Sequence, residues 1–516
     1  MTQRPAAPAP PDRWDLCQNA VLNVGDLLCI DTTEATIPTG SRDWNPHLEA
    51  MKRLEAGETV NIDEGRRVGH YWLRAPALAP SAELTAEISA AISETETVAR
   101  DVLETMRPEY VLHLGIGGSA LGPELLRDAL GDYSQTAPVK APNYHVLDNV
   151  DPDGLADHIA GVDLQRTLVI VVSKSGGTAE IQQGLRVLET AFALADLQFA
   201  SHAIAITGRN SKLDQRAQAE GWRARLPIWD FVGGRTSVTG PVGLLPLALL
   251  GGDPRAFLAG AAEMDTATRA PAVNNPAIWL AERWLEDQTD KARAMVVLPY
   301  SDRLGSFARY LQQLIMESLG KRLNRNGQEV RTALTVYGNK GSTDQHAYVQ
   351  QLRDGPDDFF ATFIEVRQPA TTPDDTSDLL YGLLDGTRSA LFSDGKSCVT
   401  LQLPQLNART LGGLIALFER AVGLYAEAVN INAYHQPGVE AGKRAAAATI
   451  SAQKRLLEVV STEPQNAQTL CEKADLQDIV TAWRLLCRLA QQDRHIARQK
   501  GATPRDDQFF TRRPNG

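Results

Sequence analysis

The stretch V-L-H-L-G-I-G-G-S-A-L-G, from Val111 to Gly122, decides the fold of this chain. A short, mostly apolar run is typical of a buried strand, and the small residues after it are typical of a tight turn that starts a helix. The stretch L-V-I-V-V-S-K-S-G-G-T-A-E, from Leu168 to Glu180, repeats this order. Such units predict a parallel sheet with helices on both faces, an α/β fold.

The two turns indicate an anionic ligand. The start of a helix leaves backbone N–H groups unpaired and carries partial positive charge, so it binds anions. The second turn adds four side chains that can donate hydrogen bonds to one anion: Ser173, Lys174, Ser175 and Thr178. Because phosphate oxygens accept many hydrogen bonds, the pattern predicts a small molecule that carries a phosphate group.

Two other interpretations of the turns remain open. Gly115, Gly117 and Ala120 fit the G-x-G-x-x-A spacing of dinucleotide-binding turns, although the next acidic residue at a predicted strand end, Asp148, comes late for a ribose ligand. Alternatively, the glycines only tighten a strand–helix turn. The second turn lacks the G-x-x-x-x-G-K-[ST] order of a nucleotide-triphosphate loop.

Length and charge limit the class of protein. A chain of 516 residues is too long for one compact core and predicts two or three domains. Its apolar content of 43% is ordinary for a soluble protein, and its net charge of −11 argues against nucleic acid or an anionic membrane as partner. An acidic chain that binds phosphate must do so locally, through a loop.

The cysteines and histidines predict neither a disulfide framework nor a metal site. The cysteines are odd in number, far apart and without a C-x-x-C pair, which suits a reducing cytosol. The N-terminus, M-T-Q-R-P-A-A-P-A-P-P, lacks the apolar core of a signal peptide and predicts a disordered lead. The five cysteines are Cys17, Cys29, Cys398, Cys471 and Cys487.

We divide the chain into four parts. Residues 1–100 are predicted to hold the Pro-rich lead and a helical N-terminal region, and residues 441–516 a C-terminal helical arm with a loose, charged end. Residues 101–275 and 276–440 are predicted as two similar doubly wound domains. Their predicted strands are Val111–Leu114, Tyr144–Leu147, Leu168–Val172, Ala203–Thr207, Met295–Leu298, Ala333–Tyr337, Phe360–Val366 and Val399–Leu403.

The two turns resemble those of the sugar-isomerase (SIS) domain, and a wider set of motifs resembles the glucose-6-phosphate isomerase (phosphoglucose isomerase) family. Four further segments carry this resemblance in family order: D-F-V-G-G-R-T-S-V-T-G-P-V-G (Asp230–Gly243), Q-Q-L-I-M-E-S-L-G-K (Gln312–Lys321), G-S-T-D-Q-H-A-Y (Gly341–Tyr348) and Q-P-G-V-E-A-G-K (Gln436–Lys443). The resemblance implies two SIS domains and a cytoplasmic aldose–ketose isomerase of glycolysis and gluconeogenesis. It would interconvert glucose 6-phosphate and fructose 6-phosphate through a cis-enediol, without metal or cofactor.

This chemistry needs a base that moves a proton between neighbouring carbons and a positive charge that stabilises an enediolate. Glu317 is the candidate base, near the end of a predicted amphipathic helix, Ser306–Leu319, with Gln313 on the same side. Arg235 follows Gly234 in a turn of small residues, which lets a guanidinium approach a ligand closely. The resemblance places this arginine against the enediolate. The alternatives are a solvated helix-end glutamate and a surface arginine in a salt bridge.

The resemblance assigns ring opening to His346 and Lys443 and places Gln436 near the hydroxyls of the sugar. In the family this histidine reaches in from the neighbouring subunit, which implies a homodimer. Lys443 stands at the start of a predicted helix, where a cation opposes the helix dipole, and this favours a functional role. His346 could instead be a helix-cap residue bonded to Asp344.

By the same resemblance, the phosphate site comprises Gly118, Ser119, Ser173, Lys174 through its backbone N–H, Ser175 and Thr178. Ser119 and Thr178 would also make ordinary N-cap residues.

The chain departs from the common family pattern at Thr236, Leu319 and Pro437, which is typical of a divergent bacterial branch. These departures bear on substrate choice more than on the type of reaction. Three other functions therefore stay open: an isomerase that also accepts mannose 6-phosphate, a non-catalytic sugar-phosphate sensor and, more distantly, a dehydrogenase.

Overall fold

The computed structural model describes residues 21–35, 42–131, 141–271, 274–290, 293–492 and 495–511. The chain divides into two compact units, Met1–His435 and Gln436–Gly516. The predicted disordered lead, with Cys17, and the last residues of the predicted loose tail lie outside the described residues.

The strands of the first unit are, in chain order, β1 (Val21–Val24), β2 (Leu28–Asp31), β3 (Tyr110–Leu114), β4 (Asn143–Leu147), β5 (Thr167–Ser173), β6 (Ala203–Thr207), β7 (Ala224–Pro227), β8 (Ala294–Pro299), β9 (Lys321–Leu323), β10 (Glu329–Thr332), β11 (Val336–Tyr337), β12 (Phe359–Gln368) and β13 (Cys398–Gln405). Its α-helices are α1 (Asn45–Glu55), α2 (His70–Arg74), α3 (Ala82–Asp101), α4 (Gly118–Leu130), α5 (Pro152–Ala160), α6 (Ala179–Leu194), α7 (Lys212–Ala219), α8 (Pro241–Leu249), α9 (Pro254–Thr268), α10 (Pro276–Asp290), α11 (Phe307–Leu311), α12 (Val349–Asp354), α13 (Asp375–Ser393) and α14 (Ala408–Ala428).

The first sheet is parallel and five-stranded, in the order β4-β3-β5-β6-β7. Every residue of β5 and β6 is buried, as expected for strands that helices cover on both faces. The chain runs from β3 outward to β4 and then returns to β5 on the other side of β3. The connections therefore diverge between β3 and β5, which is where open α/β sheets bind their ligands.

The second sheet has the order β1-β2-β13-β12-β8-β11. Strands β11, β8, β12 and β13 are mutually parallel, which confirms the second doubly wound sheet. Strands β1 and β2 come from the N-terminal region and add an antiparallel edge, with Leu401 opposite Ile30. That region was predicted as helical after its lead. Its strands are short, and β2 is held by a partner more than three hundred residues away in sequence.

Helix α8 is a buried element of the core rather than a surface helix. Its proline, Pro246, lies inside the helix, and the residues around it are buried against α3 and α4. Among the described helices, none is both long and apolar enough to cross a bilayer.

The second unit contains α15 (Pro437–Val459), α16 (Ala467–Lys473) and α17 (Ile479–Gln491), together with β14 (Gln465–Asn466), β15 (Ile496–Gln499) and β16 (Gln508–Thr511). The strands form a small antiparallel sheet in the order β14-β16-β15, so this part is not wholly helical as predicted. Helix α15 begins at Pro437, because proline suits the first helical position. Lys443 thus lies beyond the first turn, and the expectation that it stands at a helix start is wrong.

Candidate active site

The first glycine turn, after β3, lies directly against the turn that carries Arg235. Gly117 has φ +59°, a left-handed conformation that favours glycine. A Cβ atom on Gly118 would lie 1.9 Å from the carbonyl oxygen of Gly234, which leaves no room for a side chain. The Ser237 hydroxyl donates to the Gly234 carbonyl oxygen at 2.8 Å. A Cβ on Gly234 itself would meet open space, so the contact between the two turns requires a glycine at position 118 but not at position 234.

A buried histidine that the motifs did not single out supports this first turn. His113 Nε2 lies 2.7 Å from the carbonyl oxygen of Ser119, and Nδ1 lies 2.6 Å from the Tyr144 hydroxyl. A carbonyl only accepts, so Nε2 carries the proton and Nδ1 accepts from Tyr144. Burial lowers the pKa of His113 to about 4. The neutral ring thus holds the Ser119 carbonyl group in place. The sequence signal that could have identified this residue was a histidine within an otherwise apolar strand.

The second turn, after β5, is held by its own hydroxyl groups. Ser173 Oγ accepts from the backbone N–H of Gly176 at 3.1 Å and lies 3.3 Å from Thr178 Oγ1. Ser175 Oγ accepts from the N–H of Gly177 at 3.2 Å, and both residues are exposed. The exposed side of the turn therefore presents hydroxyl and N–H groups at the start of α6, where an anion is favoured.

Neither Ser119 nor Thr178 caps a helix with its side chain, although both are possible N-cap residues from the sequence. Thr178 is the N-cap residue of α6, yet its side chain makes no cap hydrogen bond. Ser119 lies inside the first turn of α4, whose N-cap residue is Gly117. The capping interpretation therefore does not account for these two hydroxyl groups.

The ammonium group of Lys174 contacts the segment Asp230–Val232. Its Nζ donates to the carbonyl oxygens of Asp230 at 2.7 Å and Val232 at 3.0 Å. The side chain thus anchors the segment that leads to Arg235, and the assignment of the Lys174 backbone N–H to an anion stays a prediction.

Arg235 and Glu317 form an ion pair, with Arg235 Nε 3.2 Å from Glu317 Oε2. Arg235 Nη1 donates to Ser318 Oγ and to the carbonyl oxygen of Ala433. Its Nη2 is buried and has no hydrogen-bond partner among the described residues. Burial lowers the pKa of Arg235, while Glu317 opposes that effect. The guanidinium remains charged and keeps N–H groups for another negatively charged or polar group.

Glu317 is the last residue of a π-helical turn, and the helical conformation continues through Leu319. Helix α11 passes into a π-helical turn, Gln312–Glu317, whereas the sequence pattern predicts one regular amphipathic helix. The apolar side is buried as predicted, at Phe307, Tyr310, Leu311, Leu314 and Ile315. Such π-turns are frequent at functional sites, because they re-aim side chains without ending the helix.

Gln313, from the same turn, extends to the first glycine turn. Its Nε2 lies 3.0 Å from the position that a Cβ on Gly117 would occupy. The two glycine turns follow β3 and β5, the neighbouring strands between which the connections of the first sheet diverge. Gly118, Gln313 and Glu317 connect the first turn to Arg235. These predicted site residues therefore belong to one continuous region of the first unit.

Of the other predicted site residues, His346 belongs to the first unit, and Gln436 and Lys443 belong to the second. His346 is exposed in a short turn, Asp344–His346, and no hydrogen bond among the described residues links its ring to Glu317 or Arg235. It does not bond the Asp344 carboxylate, which accepts from Asn339 and Tyr348 instead. Gln436 precedes α15, and Lys443 lies within that helix of the second unit, so both remain predictions.

Two of the three departures from the family pattern are core residues. Leu319 is fully buried in the hydrophobic core behind Glu317, and Thr236 is buried beside Arg235, with its hydroxyl donating to the Gly233 carbonyl oxygen at 3.3 Å. Among the described residues, there is no cluster of three or more His, Cys, Asp or Glu side chains suited to a metal ion.

Comparisons with known proteins agree on one family. The family model of phosphoglucose isomerase matches residues 45–384 and 381–469. The chain is 53% identical over 447 residues to a glucose-6-phosphate isomerase of a Synechococcus strain, with 82% of each protein covered. It is 46% identical over 510 residues to that of Citrifermentans bemidjiense, covering 93% of this chain and 95% of the relative. The crystal structure of a glucose-6-phosphate isomerase from Chlamydia trachomatis is similar with a TM-score of 0.76 at 26% identity, covering 85% of this chain and 91% of that one.

Proposed function

Because the chain belongs to the phosphoglucose isomerase family, it interconverts glucose 6-phosphate and fructose 6-phosphate, and we propose that Glu317 carries the proton in this reaction. A carboxylate can take a proton from one sugar carbon and return it to the neighbouring carbon on the same face. The ion pair between Arg235 and Glu317 is the observation that supports this role. It places a fixed positive charge beside the proposed base, where the negative charge of a cis-enediolate develops.

The proposed part of Arg235 is to stabilise that developing charge. Its buried Nη2 has no hydrogen-bond partner among the described residues, so it can donate to the enediolate without breaking an existing bond. A donor that is already fixed in place needs no reorganisation during the reaction, and removal of a comparable donor costs about 3 kcal/mol in other enzymes.

The two glycine turns are the proposed phosphate site. In this assignment the sugar's phosphate group is bound by the N–H groups at the start of α6, the backbone N–H of Lys174 and the hydroxyl groups of Ser119, Ser173, Ser175 and Thr178. Gly118 is needed so that the first turn lies against Gly234. Gln313 and Gln436 are proposed to contact the substrate.

Ring opening is assigned to His346 and Lys443, and we propose that His346 acts in the site of a second copy of the chain. The exposure of His346 supports this, since its ring is available to a partner and is not linked to Glu317 by a hydrogen bond within the described residues. A homodimer would then be required for a complete site.

We also propose a cytosolic location and the four-part domain division set out above. The described cysteines are free thiols, which suits a reducing compartment. Residues 101–275 contain the strands of the first sheet, and residues 276–440 contain the parallel strands of the second.

The relatives do not favour the alternatives of a mannose 6-phosphate isomerase or a non-catalytic sensor, because their names specify glucose-6-phosphate isomerase. A turnover assay with fructose 6-phosphate, coupled to glucose-6-phosphate dehydrogenase, tests both. We expect robust activity with fructose 6-phosphate, which persists after the protein has been treated with chelator and desalted. Activity with mannose 6-phosphate should be weaker. Sugar phosphate that raises the melting temperature without turnover would support the sensor instead.

The role of Glu317 is tested by Glu317→Gln, with Glu329→Gln on the exposed β10 strand as control. We expect Glu317→Gln to lower kcat by about 10³-fold or more, since the amide cannot accept the proton. Substrate should still raise its melting temperature, and Glu329→Gln should retain full activity. Full activity of Glu317→Gln would overturn the assignment.

A further inference from the structure

A buried lysine lies directly behind Glu317 and has no role in the mechanism above. Lys321 is 5% exposed and begins β9, four residues after Glu317. Its Nζ donates to the backbone carbonyl oxygen of Glu317 at 2.7 Å and to that of His435 at 3.1 Å. Among the described residues, no carboxylate lies within ion-pair distance of this ammonium group.

Such an arrangement is costly, because a charge removed from water is normally paired with an opposite charge. Burial and the nearby Arg235 lower the pKa of Lys321 to about 8, while Glu317 and Asp63 act in the opposite direction. Burial of the His435 ring lowers its pKa, and the nearby charge of Lys321 adds to this effect. A methionine would fill the same space without this cost, so packing alone does not explain a lysine here.

The contacts of Lys321 and Arg235 end on the same short segment. Lys321 binds the carbonyl oxygen of His435, and Arg235 binds that of Ala433. Asn432, just before them, donates to the side chains of Asn61 and Asp63, which fixes the segment from its other side. The two cations thus connect both sides of the Glu317 turn to one anchored stretch of backbone.

We propose that Lys321 is a positioning residue for Glu317, which holds the end of the π-helical turn against the Ala433–His435 segment and adds a second positive charge behind the carboxylate. It neither contacts the substrate nor transfers a proton. This inference rests on the proposed function, since it presumes that Glu317 carries the proton.

The test compares Lys321→Met, Lys321→Arg and the control Lys396→Met. Lys396 is also buried, at 7% exposure. It lies just before β13, at the amino-terminal end of that strand, whereas open α/β sheets bind ligands at the carboxyl ends. The variant Lys321→Met should lower kcat by about 10- to 100-fold, because small displacements of a reacting group cost this much. Its KM should change less than threefold. Lys396→Met reports what loss of a buried lysine costs in melting temperature alone.

The split between kcat and KM separates positioning from a merely structural role. Loss of the two carbonyl contacts of Lys321 should lower kcat selectively, because the proposed base loses its support while the groups proposed to bind the substrate keep theirs. Lys321→Arg keeps a cation that can donate to these carbonyl oxygens and should recover part of kcat. Should Lys321→Met not fold, Lys321→Gln carries the same comparison.

Two outcomes would overturn the proposal: kcat in Lys321→Met equal to that of Lys396→Met, or a rise in KM as large as the fall in kcat. Glu317→Gln distinguishes the failures. If it is inactive while Lys321→Met is normal, only the inference about Lys321 falls. If it is fully active, the proposed function falls with it.

Discussion

Gly118 and Gly234 meet so closely that a Cβ atom on Gly118 would lie 1.9 Å from the Gly234 carbonyl oxygen. This contact joins the first glycine turn to the turn that presents Arg235. It therefore determines how far the proposed phosphate site lies from the guanidinium group.

The substitution Gly118→Ala should separate the two turns. Because the methyl group meets backbone on the other side, one turn must move, and a displacement of about 1 Å can cost about 10²-fold in kcat/KM. Gly154→Ala in α5 is the matched control, since its Cβ would meet Asp151 at an ordinary 3.7 Å. Steady-state kinetics of both variants check this prediction, and unchanged kcat/KM in Gly118→Ala would contradict it.

Arg235→Met should lower kcat by about 10²- to 10³-fold, because it removes the charge beside the developing enediolate. Arg235→Lys should recover only part of the loss, since an ammonium group cannot contact Glu317, Ser318 and Ala433 with one planar fork. Arg53→Met on α1, an exposed arginine, serves as control. The kcat values are measured with saturating fructose 6-phosphate. If Arg235→Met had the same kcat as the wild type, the assigned role of Arg235 would be excluded.

Most of the parallel strands of the two sheets could be predicted from the sequence, because their residues are buried on both faces and therefore form continuous apolar runs. Strand β6 has the predicted bounds, and β3, β4, β5, β8, β12 and β13 extend past theirs by one or two residues at an end. Strand β11 covers only the end of its predicted run. Strand β7 was missed, because its charged and proline residues do not form such a run.

Other features depend on contacts that no local pattern contains. A period of 3.6 residues identifies the helix before Glu317 but cannot reveal its π-helical turn, since the apolar side stays the same. The pairing of β2 with β13 and the roles of His113 and Lys321 rest on partners that are distant in sequence or on backbone carbonyl groups. The motifs located Arg235 and Glu317, but only the structure shows that they form an ion pair.

His113 should make the stability of the protein fall in mild acid. Its pKa is about 4 in the folded protein against an ordinary value of 6.5, so the unfolded chain binds the proton more readily. Stability is therefore present above about pH 6.5 and is lost as the pH falls toward 4. Between pH 7 and 5 the loss is about 2 kcal/mol.

His113→Gln tests this linkage, because its amide can still donate to Ser119 but does not titrate. Thermal midpoints measured at pH 7 and pH 5 should fall less in the variant than in the wild type. Parallel decreases in the two proteins would show that other groups, such as the buried His70, account for the acid sensitivity.

A mixture of His346→Ala and Glu317→Gln proteins should regain activity if His346 acts in the partner's site. Each variant is inactive as a homodimer, but a mixed dimer then contains one site with both intact residues. After complete random exchange of an equal mixture, half of the dimers are mixed, so about a quarter of wild-type activity is expected. Differently tagged copies, captured through one tag, establish that exchange has taken place.

The matched control mixes Glu317→Gln with Arg235→Met. These two residues belong to the same chain's site, so no mixed dimer contains an intact site and activity stays absent. Proven exchange without recovery in the first mixture would instead assign His346 to the site of its own chain, because two lesions in separate sites could then never complement each other.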